Sequence, residues 1–141
     1  MDDDYRDYLM KRTNILDKLG KKAITPDDLA KEVEEDLELL PEIFEGIYST
    51  NANIKFGCAK ILRTISQKNP KELYPKIDFF IDLLDSTNNI FKWNAIDVLS
   101  NLSRVDTEKK FEKVFPKFYG LLSDESMVTA AHVIDNFGKI A

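Results

Sequence analysis

Apolar and polar positions follow a helical period through nearly the whole chain, and the pattern recurs. Asn53 to Ser66 can be laid over Ile90 to Ser103 so that Lys55 meets Lys92, Phe56 meets Trp93, Leu62 meets Leu99 and Ser66 meets Ser103. Leu99 lies 37 residues after Leu62, and a weaker third copy over Ser126 to Gly138 sets Ile134 under Leu99 at a shift of 35. Self-similarity at this period predicts consecutive helix pairs, each too small to bury its own apolar stripe and therefore covered by its neighbours.

The elements can be read in order. Tyr5, Tyr8, Leu9, Ile15, Leu16 and Leu19 share one face of a first helix over 4–19, with Gly20 placed to stop it. Thr25 caps a second helix with Pro26 in its first turn, and Leu29, Val33, Leu37 and Leu40 form its buried edge. The acidic run Glu32, Glu34, Glu35, Asp36 and Glu38 then falls on a solvated face. Pro41 kinks this helix, and the device recurs as Tyr74-Pro75 and Phe115-Pro116, which gives three kinked first helices, each followed by a straighter second one. Asn69 and Glu72 have capping-box spacing at the start of the middle pair. The reading is a single domain over 1–141: a capping helix at 4–19 and repeats at 26–67, 69–104 and 106–141.

Each pair resembles a HEAT repeat. The resemblance rests on a Pro-containing first helix ending in Leu83-Leu84-Asp85 or Leu121-Leu122-Ser123-Asp124, a turn, and a second helix with a basic residue near its start and Ala then Leu four apart. It covers residues 26–141 and is similar to small prokaryotic HEAT-like proteins without an assigned activity. It implies an all-α, right-handed α-α superhelix of the armadillo-like kind, with about three pairs after the capping helix and second helices on the concave face. The first pair departs from the pattern by ending in Ile47-Tyr48-Ser49, and the third has Met127 where Lys55 and Lys92 stand.

Around the second helix of the first pair, Ile54, Cys58, Ile61, Leu62 and Ile65 fall on one side and Phe56, Lys60, Arg63 and Gln67 on the other. The polar stripe continues as Trp93, Asp97, Ser100 and Arg104, then as Val128, His132, Asp135 and Lys139. One reading makes Phe56 and Trp93 the anchors of a shallow groove for a peptide or helix, flanked by Lys60, Arg63, Asp97, Arg104, His132 and Asp135. The other tucks both rings against a preceding turn or the next repeat. Lys55 and Lys92 are expected to pair with a turn carboxylate such as Asp85.

Composition narrows the function classes. With 43% apolar and 32% charged residues in 141, the chain has the make-up of a soluble domain, and no run approaches a membrane span. The acidic start Met1-Asp2-Asp3-Asp4 does not resemble a signal peptide, so the expected location is cytoplasmic. A net charge of −5 weighs against nucleic acid as the main partner. One Cys and one His, with no metal, phosphate-loop or nucleophile motif, argue against an enzyme, a cofactor or a metal. His132 and Asp135 read as a weak acid/base or metal pair, or as a solvated surface pair. The expectation is a non-enzymatic protein-interaction scaffold or adaptor, with a nucleic-acid-binding or DNA-repair module as the alternative. Ile134, Phe137 and Ile140 end the last helix with no polar cap after it. That flank predicts a natural chain continuing past Ala141, or a partner or second copy covering it.

Overall fold

Helix follows helix in the computed structural model, with no strand among the described residues. These are Asp3, 15–124 and 126–140, the last three by backbone alone. A helical segment at 15–20 leads into α1 (Pro26–Glu35), α2 (Leu40–Gly46), α3 (Ala52–Lys68) and α4 (Pro70–Leu73). After these come α5 (Ile77–Leu83), α6 (Asn89–Leu102), α7 (Phe111–Leu121) and α8 (Met127–Ile140). The all-α class is as the pattern predicts. Residues 4–14 of the expected first helix lie outside the described residues. The chain divides into two compact units, Met1–Thr64 and Ile65–Ala141, with the boundary inside α3.

In Met1–Thr64, Thr25 caps α1 as expected, its Oγ1 accepting from the Asp28 amide at 3.1 Å, with Pro26 in the first turn. Leu29 and Val33 of α1, Leu39, Ile43 of α2, and Cys58, Ile61 and Leu62 of α3 are buried together. The expected kink at Pro41 is instead a break five residues earlier. At Asp36 the backbone leaves the helix, the Asp36 carboxylate accepts from the Glu38 amide, and a 3₁₀ turn at Leu37–Leu39 restarts the chain. Pro41 then sits in the first turn of α2, where its missing N–H costs nothing.

The helical segment ends at Gly20, as the sequence predicts, but Gly20 is not its left-handed residue. The left-handed residue is Lys22, at φ 60°, with Ala23 N donating to Lys18 O and Lys22 N to Leu19 O, the paired bonds of a Schellman ending. Gly20 serves close approach instead: a Cβ there would stand 3.1 Å from Ile54 Cδ1, and its carbonyl accepts from Asn53 Nδ2 at 3.0 Å. Gly57 likewise faces Leu19, and a Cβ on Gly46 would collide with Cys58 Sγ.

In Ile65–Ala141 the core is Ile65, Leu73, Ile77, Phe80, Leu84, Ile96, Val98, Leu99, Leu102, Val114, Phe118 and Val133. Tyr74-Pro75-Lys76 forms a 3₁₀ turn between α4 and α5, whereas Pro116 lies inside an unbroken α7, so of the three expected kinks only the last stays within one α-helix. Asn69 makes no side-chain cap bond, contrary to its capping-box spacing. Asn88 caps α6, accepting from the Ile90 and Phe91 amides.

Side chains join these helices at separations close to the repeat period. Tyr74 Oη donates to Asp106 Oδ1 (2.6 Å), Lys92 Nζ to Asp124 Oδ2 (2.6 Å) and Lys117 Nζ to Asp85 Oδ2 (2.7 Å), each pair 32 residues apart. Asn101 Nδ2 donates to Ser66 Oγ across 35 residues and Asn136 Nδ2 to Asp97 Oδ1 across 39. Lys92 thus pairs with the carboxylate of the later turn, and the expected partner, Asp85, belongs to Lys117. Lys55 has its ammonium 5.0 Å from the centre of the Phe56 ring.

Candidate functional site

Three of the eight residues assigned to the binding stripe meet where α6 packs on α8. Trp93 and His132 stack with ring centres 5.4 Å apart and planes 11° from parallel. Trp93 Nε1 donates to Thr129 Oγ1 at 2.8 Å, and Thr129 is buried, so the indole is committed to the neighbouring helix at both its face and its N–H. Asp97 Oδ1 lies 3.7 Å from His132 Nδ1 and accepts from Asn136. The Trp93 ring is half-buried and held by the neighbouring helix. Ser100, expected on the polar stripe, is buried and donates to the Ile96 carbonyl at 2.9 Å.

Arg104 turns to the backbone. Its guanidinium donates to the Gln67 carbonyl at 2.9 Å and reaches Ser66 O and Asn101 O at 3.4 and 3.3 Å, answering carbonyls at the C-terminal end of α3. Asp135 is exposed on α8. In the other unit Lys60 is exposed, 3.9 Å from Asp27 Oδ1, and Arg63 is half-buried. Phe56 is half-buried and lines a cavity of about 460 Å³ together with Leu19, Ile24, Pro26, Lys22 and Asn53.

Two surfaces extend beyond the assigned stripe. One is that cavity, which shares only Phe56 with the stripe and adds Lys22. The other is the outer side of α7 and α8. Met127 is 87% exposed and Ile134 61%, on one helical face with exposed Ala131, and Val128, Tyr119 and Leu122 are exposed as well. Ile134 occupies the repeat position at which Leu62 and Leu99 are fully buried. The unpaired third copy, with Met127 in place of a Lys, was the sequence signal for it.

The chemistry available is limited in kind. Burial pushes the Cys58 thiol up to about 12, so it stays a neutral, inert side chain in the fold. Burial, then the bond to Asp106, raises the Tyr74 phenol above its ordinary value. The Lys92 ammonium, then the Ser126 amide, holds the Asp124 carboxyl below its own. Among the described residues no three His, Cys, Asp or Glu side chains are grouped to hold a metal ion, and no helix is long and apolar enough to cross a membrane. Compared with protein-family models, curated proteins and solved structures, the chain has no match.

Proposed function

We propose that the chain is a non-enzymatic interaction scaffold of HEAT-like helix pairs wound as a right-handed superhelix, and that it holds a partner protein on the outer face of α7 and α8. The observation that carries this reading is Ile134: the same repeat position is fully covered at Leu62 and Leu99 and open here. Met127, Val128, Tyr119 and Leu122 add exposed apolar area on the same two helices and the turn between them, and clustering of this kind favours a protein contact. Side-chain ties about one repeat apart in Ile65–Ala141 support the repeat architecture. The partner presents an apolar helical face, the kind of surface that covers Leu99 within this unit.

The nucleic-acid alternative has less support, because Arg104 is engaged with backbone carbonyls and Lys60 stands beside Asp27. The test compares the native chain with an Ile134→Lys, Met127→Lys variant in capture from source lysate and in sedimentation. Capture of one protein that the variant loses, with Met127 shielded from oxidation in the complex, supports the reading. A dimer that the variant splits makes a second copy the partner. A partner held equally by both proteins, with Met127 still open to oxidation, overturns the assignment of this face.

A further inference from the structure

We propose that the cavity within Met1–Thr64 receives the free C-terminal residue of a polypeptide, with its apolar side chain against Phe56 and its carboxylate at Lys22. This site is independent of the α7–α8 reading. Its walls are mainly apolar, from Leu19, Ile24, Pro26 and Phe56, which suits an aliphatic or aromatic side chain. Its charge is of one sign. Lys22 contributes directly to the wall and has no acidic partner among the described residues, and the Lys55 ammonium stands 5.0 Å from the Phe56 ring centre. Among the described residues no acidic one lines the cavity; Asp17 pairs with Lys21 at 3.0 Å, and Asp27 Oδ1 lies 3.9 Å from Lys60 Nζ.

The helix ends beside the cavity do not supply the selectivity, since Thr25 answers an amide of α1 and Asn51 Oδ1 answers the Ile54 amide of α3. Asn53 spends one amide hydrogen on the Gly20 carbonyl and keeps a second to offer. Lys22 and Phe56 line the same cavity, so the ligand must carry its anion and its apolar group close together. A C-terminal residue does so on one α-carbon; an internal acidic residue places them on different residues. A volume of about 460 Å³ exceeds one side chain and leaves room for the backbone that leads to it.

Lys22 also supplies a clean variant. Its left-handed backbone favours glycine, so Lys22→Gly removes the ammonium without straining the fold. The experiment follows fluorescence polarisation of a labelled hexapeptide ending in leucine, as the free acid and as the C-terminal amide, with octanoate as a competing free acid. The full chain should bind the acid at least tenfold more tightly than the amide. Lys22→Gly should bring the acid down to the level of the amide without lowering the unfolding midpoint, and Phe56→Ala should weaken both. Equal binding of acid and amide overturns the role of the carboxylate. Binding of octanoate with neither peptide bound overturns the polypeptide as occupant in favour of a small acid, and no binding of any probe at about 1 mM overturns the site.

Discussion

In Met1–Thr64 the helices meet where side chains have been removed: Gly20 lies against Ile54, Gly57 against Leu19 and Gly46 against Cys58. In Ile65–Ala141 the helices are joined by side chains that reach across, among them Trp93 to Thr129, Lys92 to Asp124 and Asn101 to Ser66, while Gly120 faces open space. The difference is one of tolerance. Close approach through glycine fails when an atom is added, whereas a polar tie fails when one is taken away and its buried partner is left unpaired.

The sole Cys and the sole Trp lie one in each unit, so thiol labelling and indole fluorescence report on them separately. The largest effect is expected from Gly46→Ala. Its methyl meets the Cys58 sulfur in a packed interior, which should lower stability by about 2–3 kcal/mol and speed native-state labelling of Cys58 by roughly two orders of magnitude. Labelling at the wild-type rate would remove the glycine account of this unit.

Next is Trp93→Phe, which keeps a ring against His132 but leaves the buried Thr129 hydroxyl without its donor. A loss of about 1–2 kcal/mol in urea unfolding, followed by circular dichroism, is expected; because Thr129 also bonds Asp124, the coupling is read as a smaller loss for Trp93→Phe in a Thr129→Val background. Gly120→Ala has the opposite sign. Its added methyl meets nothing within 4 Å in the last turn of α7, so a gain of about 0.5 kcal/mol should follow from helix propensity alone. A loss there would show that the contrast between the glycines is wrong.

The smallest effect is confined to acid. Asp124 titrates below its ordinary value in the fold, so its contribution is complete above the unfolded-state value of about 4 and is lost as pH falls through the lower folded one. Thermal midpoints measured between pH 2 and pH 6 should therefore fall less steeply for Lys92→Met than for the native chain. Parallel curves would mean that the ion pair does not govern this titration.

Much of the fold was legible in the sequence because local physics decides it. The Thr25 cap, the all-helical class and the buried stripe of Cys58, Ile61, Leu62 and Ile65 follow from spacing alone. Less legible were the features decided by neighbours. Lys22 takes the left-handed position after the helix although Gly20 is two residues away, and Gly20 instead lies close beneath Ile54. Lys92 takes Asp124 and not Asp85, since a period fixes a residue's place within its repeat and leaves open which adjacent turn it faces. Trp93, placed on a groove from the polar company along one helix face, is half-buried, and its indole N–H finds Thr129, a small hydroxyl that no alignment of Phe56 with Trp93 reveals. Open apolar positions at Met127 and Ile134 were foreshadowed by the last copy's departures, while the cavity beside Phe56 depends on a loop conformation that composition does not encode.

The near-constant spacing of the ties in Ile65–Ala141 bears on how the chain is made. Tyr74 waits for Asp106, Lys92 for Asp124 and Asp97 for Asn136, intervals of 32 to 39 residues. A ribosome releases such an interval within seconds, and the closure entropy of each loop is nearly the same. This unit can therefore lock together in order during synthesis, with no early segment left waiting for one far downstream.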